Sequence, residues 1–150
     1  MRAAILEKLY DWSVTPYQYF KKNEAWQYNA EELKEYHSNS LGYHMGEFLV
    51  ANNFQLQDKL ESHDVFHVLT NTGTTVPEEI SMQFYLMGNG KRSFYLFTVI
   101  LIGSMLYPEY WKFFISKYTC GKSALPFHQL EFQKLLNQPI QRIKSTFLIP

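Results

Sequence analysis

The spacing of apolar residues predicts helices along nearly the whole chain. Over residues 2–20, Ile5, Leu9 and Trp12 recur at helical intervals, which predicts a first amphipathic helix. Segments in which apolar and polar residues alternate, the pattern of a half-buried strand, are scarce. The hydrophobic pattern therefore predicts an all-α fold.

Capping residues mark the starts of the next two helices. Asn29 precedes the polar segment AEELKEY, and Ser40 precedes LGYHMGEFLVANN; both are residue types that cap helix N-termini. A further helix is predicted from about Leu56 to Leu69. The inward-facing side chains of the two longer helices are predicted to be Leu41, Met45, Phe48 and Leu49, then Leu56, Leu60 and Val68.

Turn-forming residues divide the second half of the chain. The loop TNTGTT ends at Thr75, and Gly88-Asn89-Gly90 ends the helix that follows the loop. Pro108 and Gly121 are expected to bound a later helix. The helices predicted in this half are 76–87, the apolar run 94–107, the helix between Pro108 and Gly121, and two short helices, near 127–137 and from Pro139 to about Phe147.

The apolar run FYLFTVILIGSMLY, residues 94–107, contains no charged residue. A membrane-spanning helix needs about 20 such residues, so this shorter run predicts a buried core helix. A shallow contact with a membrane surface is the alternative. With a length of 150 residues, the chain is predicted to be a single-domain helical bundle of about seven to nine helices over residues 1–150.

Composition excludes several classes of protein. Aromatic residues make up 17% of the chain and the formal net charge is zero, which excludes intrinsic disorder and provides no field that favours nucleic acid. Cys120 is the only cysteine, so a disulfide framework and a four-cysteine zinc site are excluded. The N-terminus lacks the apolar core of a secretory signal, which predicts a cytoplasmic protein.

The neutral total hides an uneven distribution of charge. Residues 1–75 carry 6 Lys and Arg against 10 Asp and Glu, whereas residues 76–150 carry 8 against 4. Two interpretations fit this asymmetry. The halves pack with complementary charge, or the basic half presents a face to anionic lipid or to a phosphate-bearing ligand.

The segment HDVFH carries the candidate chemistry. His63 and His67 are four residues apart, so on a helix they stand on one face, one turn apart, where two imidazoles can bind one metal ion. Asp64 lies at the edge of that face and can be a third ligand or can orient a ligand histidine. Histidine pairs at this spacing also arise by chance, so ordinary surface or capping histidines are the alternative. The other histidines show no comparable pattern: His37, His44 and His128.

Two adjacent glutamates follow the histidines. Thr75 and Glu78 fit a capping box, in which Thr75 is the N-cap and Glu78 reaches back to its backbone N–H. Pro77 is compatible with a first helical turn, because the N–H groups there have no helical partner. Glu79 is then the free carboxylate that projects toward the preceding helix, and it is the predicted additional ligand.

Residues 63–79, HDVFHVLTNTGTTVPEE, resemble the signature of the coenzyme Q (ubiquinone) biosynthesis protein 4 family. That signature is HDxxH, then eleven residues, then Glu, and residues 68–78 supply the eleven-residue interval here. The segments LGYHMGEFLVANNFQ and FQKLLNQPIQRIKSTFLI also resemble the family, so the resemblance covers roughly residues 40–150. The chain departs from the family pattern at Glu78, where the family commonly has Gly, and at Thr75, where it often has Asp.

The resemblance implies an all-helical protein in which His63, Asp64, His67 and Glu79 hold a zinc ion or another divalent metal. It also implies a role in quinone biosynthesis. The implied partners are a prenylated quinone precursor or another isoprenoid lipid, and other quinone-biosynthesis proteins. A homo-oligomer and a peripheral position on the inner membrane (the matrix side of the mitochondrial inner membrane in a eukaryote) are further expectations.

Two functions are compatible with these features. The first is a metal-dependent lyase that carries out oxidative decarboxylation of a prenylated hydroxybenzoate-type intermediate. The second is a non-catalytic module that binds a prenylated lipid or organises other quinone-biosynthesis enzymes. A metal-dependent phosphohydrolase is disfavoured, because its set of ligands needs a downstream aspartate and the chain has none after Asp64.

Overall fold

The fold is helical throughout the part of the chain that the structure describes. The computed structural model describes residues 1–5, 7, 8, 19 and 24–150. These residues form helices, turns and loops but no β-strand, so the predicted all-α fold is confirmed. Residues 2–5 are helical, and most of the first helix predicted over residues 2–20 lies outside the described residues.

From residue 24 onward the chain forms seven α-helices and two short 3-10 helices. In chain order the α-helices are Ala30–Lys34 (α1), Leu41–Asn52 (α2), Glu61–Thr70 (α3), Val76–Gly88 (α4), Phe94–Leu106 (α5), Trp111–Ser123 (α6) and Ile140–Thr146 (α7). The 3-10 helices are Pro108–Tyr110 and Phe132–Leu135. The assignment of residues 1–150 to a single domain stays a prediction.

Two predicted N-caps are confirmed. The side chain of Asn29 accepts a hydrogen bond from the backbone of Glu32 at the start of α1. The side chain of Ser40 accepts one from the backbone of Tyr43 at the start of α2. These bonds satisfy N–H groups that have no partner within the helix.

The start of α3 differs from the prediction. This helix begins at Glu61 rather than near Leu56. Lys59 has a φ of 66°, a left-handed conformation that a right-handed helix excludes, so the chain cannot be helical across this residue. The short helix predicted near residues 127–137 is also wrong in type, since its regular part is the single 3-10 turn Phe132–Leu135.

The predicted end of α6 at Gly121 is wrong, because the helix continues to Ser123. A Cβ atom at Gly121 would collide with the backbone carbonyl of Tyr85 in α4. A Cβ atom at Gly88 in α4 would likewise collide with the backbone carbonyl of Tyr118. The two glycines let the backbones of α4 and α6 approach closely, and these two helices share the most extensive contact between described helices.

The apolar helix α5 is not the buried core helix that its sequence predicts. Leu96 and Gly103 are its buried residues, and Gly103 packs against Ile80 of α4. The opposite side of the helix is open, with Phe94 85% and Leu101 64% exposed. The apolar sequence of a helix shows how much apolar surface it has, but it does not show whether other helices cover all of that surface. The large exposed side chains, called the α5 face below, are Phe94, Phe97, Leu101 and Met105.

The main hydrophobic core joins α2, α3 and α4 to the C-terminal segment. Leu49, Leu69 and Leu86 are fully buried members of this core, one from each of the three helices. Backbone hydrogen bonds of 2.9 Å from Leu41 to Gln138 and 2.8 Å from Ile140 to Asn39 tie α7 to the start of α2. Because α3 and α4 share one core, the side chains that they direct at each other are held in register. None of the described helices combines the length and apolar content needed to cross a membrane.

Candidate metal centre

Helix α3 presents two histidines to the same point. His63 and His67 stand one turn apart, and their Nε2 atoms are 3.2 Å from each other. His67 is buried, whereas the side chain of His63 is 23% exposed. The predicted placement of both imidazoles on one helix face is confirmed.

Glu79, in the first turns of α4, completes the group. Its Oε2 lies 3.2 Å from Nε2 of His63, and its Oε1 lies 3.0 Å from Nε2 of His67. The carboxylate therefore spans both imidazoles. In the part of the chain that the structure describes, these three residues form a group able to hold a metal ion, with one ligand atom from each within 4.8 Å of the others.

The neighbouring Glu78 is engaged in the helix start, as the sequence predicts. The backbone N–H of Thr75 donates to Oε2 of Glu78 at 3.1 Å, and the Thr75 hydroxyl donates to the same oxygen at 2.5 Å. The bond from the Thr75 hydroxyl, together with the backbone N–H groups of Thr75 and Gly73, lowers the pKa of the Glu78 carboxyl. Gly73 allows this arrangement, because a Cβ there would stand 2.5 Å from the carboxylate oxygens. Glu78 therefore stabilises the helix, and Glu79 is left to face the histidines.

The spacing of the three ligand atoms fits a small divalent cation. A tetrahedral ion with bonds of about 2.0–2.1 Å separates its ligand atoms by about 3.3–3.4 Å. The distances between the ligand atoms of His63, His67 and Glu79, 3.0 to 3.2 Å, are close to that separation. Three protein ligands also leave a fourth position open, which is the arrangement of catalytic zinc sites. Two histidines and one carboxylate suit non-haem iron(II) as well.

Hydrogen bonding from outside the group fixes the lone pair that such an ion needs. Nδ1 of His67 lies 3.0 Å from the backbone carbonyl of Thr72, which can only accept, so Nδ1 carries the proton. In the neutral ring Nε2 then has a free lone pair, and it faces Glu79 and His63. Phe48 of α2 stacks on the His67 ring at 5.3 Å between centroids and holds its plane. This support is typical of histidine ligands.

Glu79 and His67 stabilise each other's charged forms. Burial opposes ionisation of Glu79, but the hydrogen bonds and charges of His63 and His67 outweigh it and lower the pKa of the carboxyl to about 2. Burial likewise disfavours the charged form of His67, yet its contacts with Glu79 prevail and raise the pKa of the imidazole. The site therefore keeps an anionic carboxylate at neutral pH, which suits binding of a cation.

Asp64 lies beside this group and is not a member of it. Burial raises the pKa of its carboxyl to about 6, against the opposing charges of His63 and His67. It is close enough for those charges to act on it, which agrees with either role considered for it, ligand or orienting group. Its part in metal binding stays a prediction.

The remaining histidines and the cysteine lie elsewhere. His37 is exposed beside Asn39, His44 lies edge-on to Tyr43, and His128 contacts Asn89. Cys120 is a free, half-buried thiol in α6. Sequence reasoning did not identify Phe48 or Thr72 as supports of the ligand His67. Thr72 had one available signal, its position directly after Asn71, the C-cap of α3.

Comparison with known proteins gives a family match by sequence and similar folds among solved structures. The chain matches the family model described as coenzyme Q (ubiquinone) biosynthesis protein Coq4 over residues 53–150, which include all three candidate ligands. A crystal structure of a protein from Nostoc punctiforme, assigned to ubiquinone biosynthesis, has a similar fold. The TM-score is 0.64 and the sequence identity 15%, over 98% of this chain and 80% of that chain. No curated protein matches the chain.

Proposed function

The chain belongs to the coenzyme Q (ubiquinone) biosynthesis protein Coq4 family and has a role in that biosynthesis; from this premise we propose that it is a metal-dependent enzyme. Its substrate is a prenylated hydroxybenzoate-type intermediate, and the reaction is oxidative decarboxylation of the aromatic head group. The observation that supports this proposal is the convergence of His63, His67 and Glu79 on one point with a fourth position open.

The ligand set suits the chemistry of a carboxylate substrate. A divalent ion at these residues would bind the substrate carboxylate and stabilise the negative charge that develops as CO2 leaves. His63 and Glu79, which are partly exposed, lie on the open side of the group, and buried His67 lies on its inner side. The substrate would therefore approach from the side of His63 and Glu79.

The net reaction replaces the carboxyl group of the ring by a hydroxyl group. The bond between the ring carbon and the carboxyl carbon breaks, CO2 leaves, and a C–O bond forms at the same carbon. Dioxygen as the oxidant accepts two electrons, so that dioxygen and water are consumed and hydrogen peroxide is released with the hydroquinone. The two electrons come from the aromatic acid. Zinc does no redox chemistry, so with zinc the electron-rich ring would reduce dioxygen directly, whereas iron(II) could relay the electrons.

The α5 face supports the second part of the proposal, peripheral contact with a membrane that holds the prenyl tail. Phe94 and Leu101 present aromatic and aliphatic surface to solvent, and the basic residues Lys91 and Arg92 precede the helix. Apolar side chains beside basic residues favour the interface of an anionic bilayer. The substrate would then be taken from the membrane, and other quinone-biosynthesis proteins on it would be the partners.

The direct test is release of carboxyl carbon. Protein loaded with zinc or with iron(II) is incubated with 3-prenyl-4-hydroxybenzoate labelled with 13C at the carboxyl group, and labelled CO2 and the hydroquinone are measured by mass spectrometry. We expect both products in equal amounts, with loss of both after chelation and in the His63→Ala variant.

The same experiment separates the enzyme from a non-catalytic lipid-binding or scaffold module. Binding of the labelled compound without release of CO2, under either metal, would refute the enzymatic proposal and support the module. Release of CO2 that survives chelation would refute the metal-dependent step.

A further inference from the structure

Two buried polar atoms on α4, the helix that carries the ligand Glu79, lack a hydrogen-bond partner. Among the described residues, two buried side-chain atoms are unpaired: Oε1 of Gln83 and the hydroxyl of Tyr85. Both residues are only 2% exposed. More than about 90% of buried polar groups are paired in native proteins, so each exception calls for a physical reason.

Gln83 lies on the same side of α4 as the ligand Glu79. The two residues are four positions apart, so their Cβ atoms are about 5–6 Å apart along one helix face. Side chains in a helix lean toward its N-terminus, which directs Gln83 back toward the turn of Glu79. The Glu79 side chain is 35% exposed and Gln83 is closed off, so the face is open at its metal end and buried at the other.

The spacing along this face matches a para-substituted benzene ring. The carboxyl carbon and the oxygen of a para hydroxyl are separated by about one helical turn, roughly 5.4 Å. A ring whose carboxylate is held beside Glu79, and whose long axis follows this helix face, would place its para hydroxyl about one turn further along α4, beside Gln83. A phenolic hydroxyl is a donor, and the carbonyl oxygen of Gln83 can only accept.

We propose that Oε1 of Gln83 accepts a hydrogen bond from the phenolic hydroxyl of the ligand and so makes the site selective for a free phenol over its ether. This inference rests on the proposed function, since it assumes that the ligand carboxylate is held by His63, His67 and Glu79. Gln83 is then a specificity-determining residue. An ether oxygen in the same place leaves Gln83 unpaired and brings two acceptors together.

The test compares two ligands that differ by one methyl group. Binding of 3-prenyl-4-hydroxybenzoate and of 3-prenyl-4-methoxybenzoate to the metal-loaded protein is measured by calorimetry. An unpaired buried acceptor predicts a preference of about 10–100-fold for the free phenol in the wild type. Gln83→Met, which keeps the length of the side chain without a strong acceptor, is expected to reduce the preference below about threefold.

Stability measurements distinguish this role from a structural one. A glutamine with no partner in the free protein makes no bond that methionine would lose, so the Gln83→Met protein should melt at the wild-type temperature or above it. Tyr85→Phe is the matched control, because it removes the other unpaired atom, on the side of α4 that faces Gly121. It should leave both metal content and phenol preference unchanged.

The outcomes separate this inference from the proposed function. An equal phenol preference in wild type and Gln83→Met, with metal content intact, overturns the role of Gln83 alone. A marked loss of melting temperature in Gln83→Met also overturns it, because Gln83 would then have a structural partner. A metal-loaded wild type that binds neither compound overturns both proposals.

Discussion

Replacing Glu79 by glutamine tests the metal centre with the smallest change of shape. The variant keeps an oxygen where Oε1 lies 3.0 Å from His67, but it removes the negative charge. Glu79 is the carboxylate of a group whose other two ligand atoms belong to the imidazoles of His63 and His67. We therefore expect Glu79→Gln to weaken metal binding strongly while leaving the helices folded.

The magnitude follows from the position of the carboxylate. Removing a group that only supports a ligand lowers metal affinity by about 10–100-fold. Glu79 contacts the ligand nitrogens of both His63 and His67, so its loss should exceed that range. We expect the dissociation constant for zinc to rise by more than about 100-fold, equivalent to more than about 2.7 kcal/mol.

Glu78→Gln is the matched control, one residue away. Glutamine can replace glutamate in a capping box, so the bond from the Thr75 N–H should survive and metal affinity should stay within about twofold of wild type. Affinities are measured by competition with a chromophoric zinc chelator, and folding is checked by circular dichroism. Loss of metal in Glu78→Gln with retention in Glu79→Gln would refute the assignment of the ligand.

Three further predictions address the histidines, the exposed face and the packing of the bundle. The double variant His63→Ala, His67→Ala should abolish metal binding, measured as the metal content of the purified protein by inductively coupled plasma mass spectrometry. A full equivalent of bound metal would contradict the site. Leu101→Glu, on the α5 face, should change the free energy of unfolding by less than about 0.5 kcal/mol but reduce binding to phosphatidylserine vesicles about tenfold. Leu125→Glu, 48% exposed and outside that face, is its control, and equal losses in both variants would argue against a specific surface. Gly121→Ala should lower the free energy of unfolding by about 1–3 kcal/mol in urea titrations, because the added Cβ meets the carbonyl of Tyr85; wild-type stability would show that α6 can move away freely.

The features that sequence reasoning located correctly depend on local geometry. Two histidines four residues apart on a helix must share a face, wherever the helix lies. The hydrogen bonds of the capping box join Thr75 to Glu78, so the box could be identified from four consecutive residues. Glu79 then followed by elimination, and the structure places it against both histidines.

The features that sequence reasoning missed depend on contacts between distant segments. The exposure of α5 is set by which helices pack against it, and hydropathy alone assigned that helix to the core. Gly121 signals the end of a helix in isolation, but here it accommodates the backbone of α4. Likewise, nothing in the sequence around Phe48 indicates that its ring stacks on His67 of the next helix.

The interval of eleven residues between His67 and Glu79 determines which residue of α4 faces the histidines. Asn71, with a φ of 49°, ends α3 and reverses the chain, and the capping box then sets where α4 begins. Glu79 directly follows the last residue of that box, and successive residues of a helix point about 100° apart. A shift of the helix start by one residue would therefore bring Glu78 or Ile80 to the position of the ligand. The hydrogen bonds between Thr75 and Glu78 stabilise the helix. Because they fix the residue at which α4 begins, they also determine that Glu79 is the carboxylate that faces the histidines.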